Sequence, residues 1–465
     1  MAAYRTENGL KSHKELCYTA DGVREELYVD KDTGELLPIG FKNHRHSMRV
    51  PLFYTFDFEY KTTKVEGPEE NSMEQKERDK GSYTKKYQRH DPTGYVIRRV
   101  SIYPHIIRNK TFHRTMQSPD DDIKLYFYKE IEEDAKFVTN TYLRFPKPML
   151  PMTPDEVEDY TDSTNCHICN GQLGDDKVRD HCHVTGKYCG AAHNTCNKNY
   201  RLPNFFPVFC HNLSNYDAHL FIRGMALDED DMQCIPETDE KYISFSKTFK
   251  PYTFVKNDKE IPMNKEIRFL DYFRFMPSSL DKLVGYLVKG KEKNVEALRK
   301  ALPNLSEEFD DDEEFLLLTK KGVFPYDWFD SYSKLDSKEF PTQEECYSKV
   351  YDRPMSDEDY QRALKVWMTL GQTKFRQYHD TYMKTDGLLL ADVMKAFIEN
   401  CHQNFCLDPC CYYTTPGLAW DACLKITGQI LQPLPDHDMI QMVEKGIRGG
   451  LAMAVTRFAE VTTNT

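Results

Sequence analysis

Aromatic and polar residues alternate over Leu52-Phe53-Tyr54-Thr55-Phe56-Asp57-Phe58-Glu59-Tyr60. This pattern predicts a strand with Phe56, Phe58 and Tyr60 on the core-facing side and Asp57 and Glu59 together on the other. Strand-like segments follow near 95–103 and 123–128, and residues 130–143 have helical character. A short apolar run at 206–210 predicts the next strand, leading into a helix at about 217–226. Residues 267–271 predict another strand, followed by a helix starting near Ser279. The longest helix candidate runs from roughly 375 to 404 and contains no proline. Strands and helices mixed in this order predict an α/β (α+β) core with helices packed on a sheet.

Other stretches lack periodicity. Residues 61–82 are polar and read as a flexible loop, and the proline-rich 146–154 as a linker. Residues 160–202 form a compact Cys/His-rich insert. The acidic run Ser306-Glu307-Glu308-Phe309-Asp310-Asp311-Asp312-Glu313-Glu314 reads as one loop. In the polar stretch 1–20, His13 and Cys17 have the spacing of half a zinc finger, without a preceding Cys-x-x-Cys.

Charge changes this picture little. The net charge is −12, from 62 basic and 74 acidic residues, which is not the overall signature of a nucleic-acid binder. Basic residues nevertheless gather at 42–49, 85–99 and 177–201, so the balance does not decide the partner. No apolar run is long enough to span a bilayer, and the N-terminus lacks the apolar segment of a signal peptide. The chain therefore reads as intracellular, where its fourteen cysteines are reduced or metal-bound.

Four carboxylates carry the candidate chemistry. Asp57 and Glu59 share one face of a strand, where they either repel each other unless a cation binds or lie exposed as an Asp-x-Glu on an edge strand. Asp217, in Asn212-Leu213-Ser214-Asn215-Tyr216-Asp217, lies where a strand breaks into a helix. It is placed either to reach a metal or to cap the helix, and Asn212 to hydrogen-bond a nucleotide. Tyr382 and Asp386 lie at i and i+4 on the long helix, so a tyrosine hydroxyl can orient water beside a metal-binding aspartate. Asp392 falls off that face and reads as a surface residue. Such a set suits two divalent ions, Mg2+ or Mn2+, held over a phosphodiester. In the insert, Cys166, Cys169, His193 and Cys196 form two paired-ligand knuckles suited to a tetrahedral, structural Zn2+.

In their order Asp-x-Glu, Asn-(few)-Tyr-Asp and Tyr-x-x-x-Asp, these motifs resemble the exonuclease motifs of family B DNA polymerases, most closely the protein-primed subgroup. Gly322-Val323-Phe324-Pro325-Tyr326 and the stretch 382–393 resemble the polymerases of large virus-like transposons of Maverick/Polinton type. The resemblance implies a ribonuclease H-like 3′–5′ exonuclease domain with catalytic Asp57, Glu59, Asp217, Tyr382 and Asp386, and with Asn212 and Tyr216 on nucleic acid. Ser279 and Leu280 match an element that contacts single-stranded DNA and the terminal protein. Gly449 and Gly450 match a linking element that approaches DNA. Asp180, His181 and Asn197 resemble His-Asn-His endonucleases of the endonuclease VII type. That likeness implies a ββα insert with His181 as general base and Asp180 and Asn197 on a catalytic metal, although Cys189 stands where an arginine is usual and His193 replaces a cysteine.

The implied domains are 1–20 (finger remnant), 21–150 and 203–405 (exonuclease), 155–202 (zinc insert) and 406–465 (a linker toward a palm domain whose motifs are not in the sequence). The implied partners are a single-stranded 3′ end, a primer-template and a terminal-protein primer, with no membrane. The implied setting is the nucleus or a viral or transposon replication site. The insert reads equally as an active nuclease or as a zinc-stabilised DNA- or protein-binding module. Two other readings of the chain remain: a zinc-containing endonuclease on an exonuclease-like scaffold, and a non-catalytic DNA-binding remnant.

Overall fold

The computed structural model describes residues 27–64, 88–214, 231–238, 241–349 and 352–447, with Lys11, Lys14, Ala218, Phe221, Ile222 and Met225. Contacts divide the chain into two units, residues 43–422 and residues 1–42 with 423–465. In the larger unit, strands β1 (Leu52–Lys64), β2 (Gln88–Ser101) and β3 (Lys110–Thr115) precede helix α1 (Ile123–Val138). The insert follows as α2 (Pro154–Asp162), β4 (Lys177–His181), β5 (Tyr188–His193) and α3 (Asn194–Asn199). Then come β6 (Phe205–Cys210), β7 (Met232–Pro236), β8 (Tyr242–Phe249), the hairpin β9 (Thr253–Lys256) and β10 (Lys259–Pro262), and β11 (Lys265–Asp271). Helices α4 (Leu280–Val288), α5 (Val295–Ala301), α6 (Pro303–Glu308) and α7 (Asp312–Leu318) lead to the short pair β12 (Tyr347–Ser348) and β13 (Arg353–Pro354). The chain continues through α8 (Asp357–Thr369) and α9 (Phe375–Phe405) to α10 (Thr415–Thr427).

Seven strands form one sheet in the order β3-β2-β1-β6-β11-β8-β7. Strand β6 runs parallel to both β1 and β11, and the outer pairings are antiparallel. The result is a mixed central sheet in an α/β fold, consistent with a ribonuclease H-like arrangement. Alternation along β1 sorts its side chains as the sequence predicts. Phe56 and Phe58 meet Phe127 of α1 at 4.8 and 4.7 Å between ring centroids. Phe221 and Phe269 complete that cluster. Each such buried ring contributes roughly 1.5–3 kcal/mol. Thr55, Asp57 and Glu59 point to the other face, which α9 covers. Tyr60 departs from the expectation. A register shift between Glu59 and Tyr60 breaks the alternation, and the Tyr60 ring stacks on Tyr326 and His90 instead of joining the phenylalanines.

Helix α9 spans 31 residues, about 46 Å at 1.5 Å per residue. It packs against the sheet at a glycine, Gly387, where an added Cβ would stand 2.4 Å from Val96 Cγ1. Thr55 Oγ1 donates to the Gly387 carbonyl across the same seam, at 3.3 Å.

Several expected elements are corrected. Residues 123–128 are helical, not a strand, because Ile123, Phe127, Ile131 and Ala135 recur at helical spacing and are buried. The acidic run at 306–314 is not one loop. It ends α6 and opens α7, where Asp311 accepts from the backbone of Glu313 and Glu314 at 2.8 and 3.0 Å. Acidic side chains in a helix's first turn complement its dipole, and Glu307 and Glu308 are paired with Arg98 and Lys384. Asp392 is not on the surface. It is 1 % exposed and accepts from Asn304 N, Asn304 Nδ2 and Leu305 N at 2.7–3.1 Å, satisfying the N-terminus of α6. The proline-rich 146–153 stretch has no helix or strand, yet it is tied to the insert by Lys147 N to His183 O and Leu150 N to Gly186 O, both 2.8 Å.

In the smaller unit, Ile39 and Leu431 pair as an antiparallel bridge, and α11 (His437–Gly446) is capped by Asp436, which accepts from Met439 N at 2.9 Å. Among the described residues, no helix is long and apolar enough to cross a membrane.

Candidate active site

Strand β1 and helix α9 bring Asp57, Glu59 and Asp386 together. One oxygen from each lies within 4.8 Å of the others. Glu59 and Asp386 are fully buried and Asp57 half-buried. Three carboxylates in so small a volume raise one another's proton affinity. Burial and the neighbouring Asp386 push the Asp57 carboxyl up to about 7. Burial, Asp57 and Asp386 push Glu59 well above the usual carboxylate range.

Two partners offset the repulsion. The Lys321 ammonium makes a short ion pair with Asp386 Oδ2. Burial opposes its charge, but Asp386, Asp57 and Glu59 hold it above the ordinary lysine range. Tyr326 donates its hydroxyl to Glu59 Oε2 at 3.3 Å and lies 3.3 Å from the hydroxyl of Tyr382. Burial first, then nearby carboxylates, keeps both phenols protonated. Asp386 Oδ1 is buried and has no hydrogen-bond partner. Net, the cluster holds three carboxylates against one ammonium, and one carboxylate oxygen is unsatisfied. That donor set fits a divalent cation.

Tyr382 was expected here from its i, i+4 spacing to Asp386. Lys321 and Tyr326 were not. They sit on the coil after α7, in a segment clamped to α8 and α9. Tyr378 donates to Val323 O at 2.6 Å, Arg362 to Lys321 O at 2.8 Å, and the Phe324 ring lies 5.0 Å from that of Tyr382. Gly322 permits the approach, since a Cβ there would meet the Tyr382 ring at 2.7 Å. The only sequence signal for this role was the short Gly-Val-Phe-Pro-Tyr segment beside Lys321.

Other expected site residues are placed as follows. Asn212 lies on the turn after β6 in a left-handed conformation, φ 62°. Ser214 on the same turn donates its N–H to the buried Asp271, at 3.0 Å. Ser279 caps α4, and Leu280 is buried. Tyr216, Asp217, Gly449 and Gly450, like His13 and Cys17, lie outside the described residues.

A second cluster forms in the insert, where Cys166, Cys169, His193 and Cys196 bring their ligand atoms within 4.8 Å of one another. His193 Nε2 lies 2.9 Å from the Gln172 carbonyl. That bond assigns the proton to Nε2 and leaves Nδ1, 3.4 Å from Cys169 Sγ, free as a ligand. Burial raises the Cys166 thiol, but backbone N–H groups of Cys169, His193 and Ile168 outweigh it and bring it down to about 6. Burial and the thiols of Cys169 and Cys166 push Cys196 up to about 12. Crowded thiols of this kind suit a soft cation.

Strands β4 and β5 and helix α3 give the insert the expected ββα order. Asp180 and His181 belong to neither convergent cluster found among the described residues. Asp180 is buried against His167 Nε2 at 2.9 Å, His181 Nε2 lies 3.2 Å from the Lys147 carbonyl, and Asn197 sits on α3.

Residues 299–463, about a third of the chain, match the family model of type B DNA polymerases, organellar and viral. Over that stretch the chain is similar to type B DNA polymerases. The match includes Lys321, Tyr326, Tyr382 and Asp386, four of the six residues described at the site, and leaves out Asp57 and Glu59. No curated protein and no solved structure matches the chain.

Proposed function

We propose that this chain removes nucleotides from the 3′ end of DNA by metal-dependent hydrolysis, the proofreading chemistry of a type B DNA polymerase. The observation that carries the reading is the convergence of Asp57, Glu59 and Asp386 with Lys321, Tyr326 and Tyr382. Asp57, Glu59 and Asp386 would hold Mg2+ or Mn2+, the unsatisfied Asp386 Oδ1 being one oxygen left for it. Such an ion polarises a phosphodiester and makes water a better nucleophile. Asp217 joins the set by resemblance.

The chain's own residues contribute positioning and charge. The protonated Tyr382 and Tyr326 can donate to a water or a phosphate oxygen. The Lys321 ammonium, about a third exposed, faces the site and can stabilise negative charge that develops there. Asn212, Tyr216, Ser279, Leu280, Gly449 and Gly450 are the residues proposed to lie along the DNA. A terminal-protein primer and a Maverick-type origin are further parts of the proposal, as is work at an intracellular replication site.

The insert is read as a module held by Zn2+ on Cys166, Cys169, His193 and Cys196. The hydrogen bonds of Asp180 to His167 and of His181 to Lys147 favour a supporting role over hydrolysis by that pair.

The test is stepwise shortening of 5′-labelled single-stranded DNA in Mg2+ or Mn2+. A one-nucleotide ladder, lost in Asp57→Asn and kept in His181→Ala, supports the reading. Nicking of branched duplex that is lost in His181→Ala and kept in Asp57→Asn overturns it.

A further inference from the structure

A cavity lies between the insert and the sheet, bounded by the start of β1, the segment after α1, and the stretch joining α3 to β6. His183, Lys198, Arg201 and Lys265 bring basic side chains to its wall, and no Asp or Glu lines it. This is unexpected in a chain with a net charge of −12. Lys265 is the key residue. It is half-buried, and its ammonium makes no hydrogen bond or ion pair among the described residues. The contact its ammonium does make is with the face of Phe206, 5.6 Å from the centroid. Burial holds it down to about 8. A half-buried cation without a counter-ion lowers stability unless an anion arrives. Beside it, Leu52, Leu143 and Phe206 form an apolar wall.

We infer that this cavity is a second nucleotide site, in which a phosphate rests against Lys265, Arg201 and Lys198 and the base against Leu52, Leu143 and Phe206. Cationic and apolar walls in one cavity match the two halves of a nucleotide. Lys198 and Arg201 are exposed, so the phosphate enters from their side. The site is separate from the carboxylates, since Leu52 and Asp57 are about 17 Å apart along β1 at ~3.3 Å per residue. Its chemistry is also opposite, cationic where the other is anionic. The nucleotide is either free or one unit of a strand.

The test measures binding and does not depend on hydrolysis. The full chain with its metals is labelled with a lysine-acylating reagent, and the rate at Lys265 is followed by mass spectrometry. Thymidine 5′-monophosphate, inorganic phosphate and a hydrolysis-resistant phosphorothioate oligonucleotide are the probes. Protection of Lys265 by the mononucleotide supports a free-nucleotide site, and protection by the oligonucleotide alone supports a strand site. In parallel, Lys265→Gln should weaken binding of the protecting probe by about tenfold, the loss of one charge-assisted hydrogen bond. Equal protection by inorganic phosphate would remove the base from the assignment. An unchanged labelling rate with every probe, together with unaltered binding by Lys265→Gln, would overturn it.

Discussion

Lys321 Nζ pairs with Asp386 Oδ2, while Oδ1 of the same carboxylate is buried with no partner. The lysine therefore holds one side of the carboxylate cluster and leaves the other available to a cation. Removing its charge should have two opposed effects. Lys321→Met should tighten Mn2+ binding several-fold, because the ammonium no longer competes for Asp386. It should also slow hydrolysis by about 10²-fold, the scale of one preorganised charge. Isothermal titration and single-turnover cleavage measure the two separately. Weaker Mn2+ binding would mean that Lys321 organises the ligands and does not compete with the ion.

The same cluster predicts a pH dependence of stability. Asp57 is raised from 3.8 to about 7 by burial and by Asp386. Between those values the folded state binds a proton that the unfolded state has released. Stability is therefore highest below about pH 4 on this account, and falls as pH rises to about 7. Metal-free protein should lose more than about 1 kcal/mol over that interval, one pKa unit being worth about 1.4 kcal/mol. Asp386→Asn should flatten the slope. Mn2+ should raise the melting temperature more at pH 8 than at pH 5, because it displaces protons. A melting temperature that climbs from pH 5 to pH 8 without metal would contradict this.

Gly387 tests the seam that positions Asp386. Alanine improves helix propensity by about 1 kcal/mol over glycine. Here its Cβ would stand 2.4 Å from Val96 Cγ1, and overpacking of this kind costs roughly 1–3 kcal/mol. Gly387→Ala should therefore destabilise the protein in urea. The double variant Val96→Ala, Gly387→Ala should recover part of the loss.

Cys166→Ser should abolish the proposed Zn2+ binding at the insert and expose residues 160–200 to limited proteolysis. Cleavage of the DNA 3′ end should persist, because the cysteine cluster and the carboxylate cluster share no residue. Equal loss of both would show that the insert supports the sheet as well.

How much of this was legible in the sequence depended on how local the signal was. Phe56, Asp57, Phe58 and Glu59 were assigned to the correct faces because a strand's period of two is written directly in the residues. Tyr60, next in line, was misplaced because the register shift beside it leaves no mark in the alternation. The convergence of Cys166, Cys169, His193 and Cys196 was legible from spacing, since each pair is three residues apart. Asp392 was misread for the opposite reason. Its partners, Asn304 and Leu305, are far away in sequence, and only the packing of α6 on α9 joins them. Lys321 and Tyr326 were missed in the same way, lying on coil without periodicity. Residues 123–128 looked like a strand because a short apolar run does not separate the two periods.

The most direct test of the carboxylate site is a paired measurement on Asp386→Asn. Mn2+ affinity and the rate of 3′ nucleotide release from single-stranded DNA are followed together in the same preparation. The account predicts that both fall, with release slowed at least about 100-fold, and that the fold is retained. Release at the wild-type rate, in protein that no longer binds Mn2+ at this cluster, would contradict it.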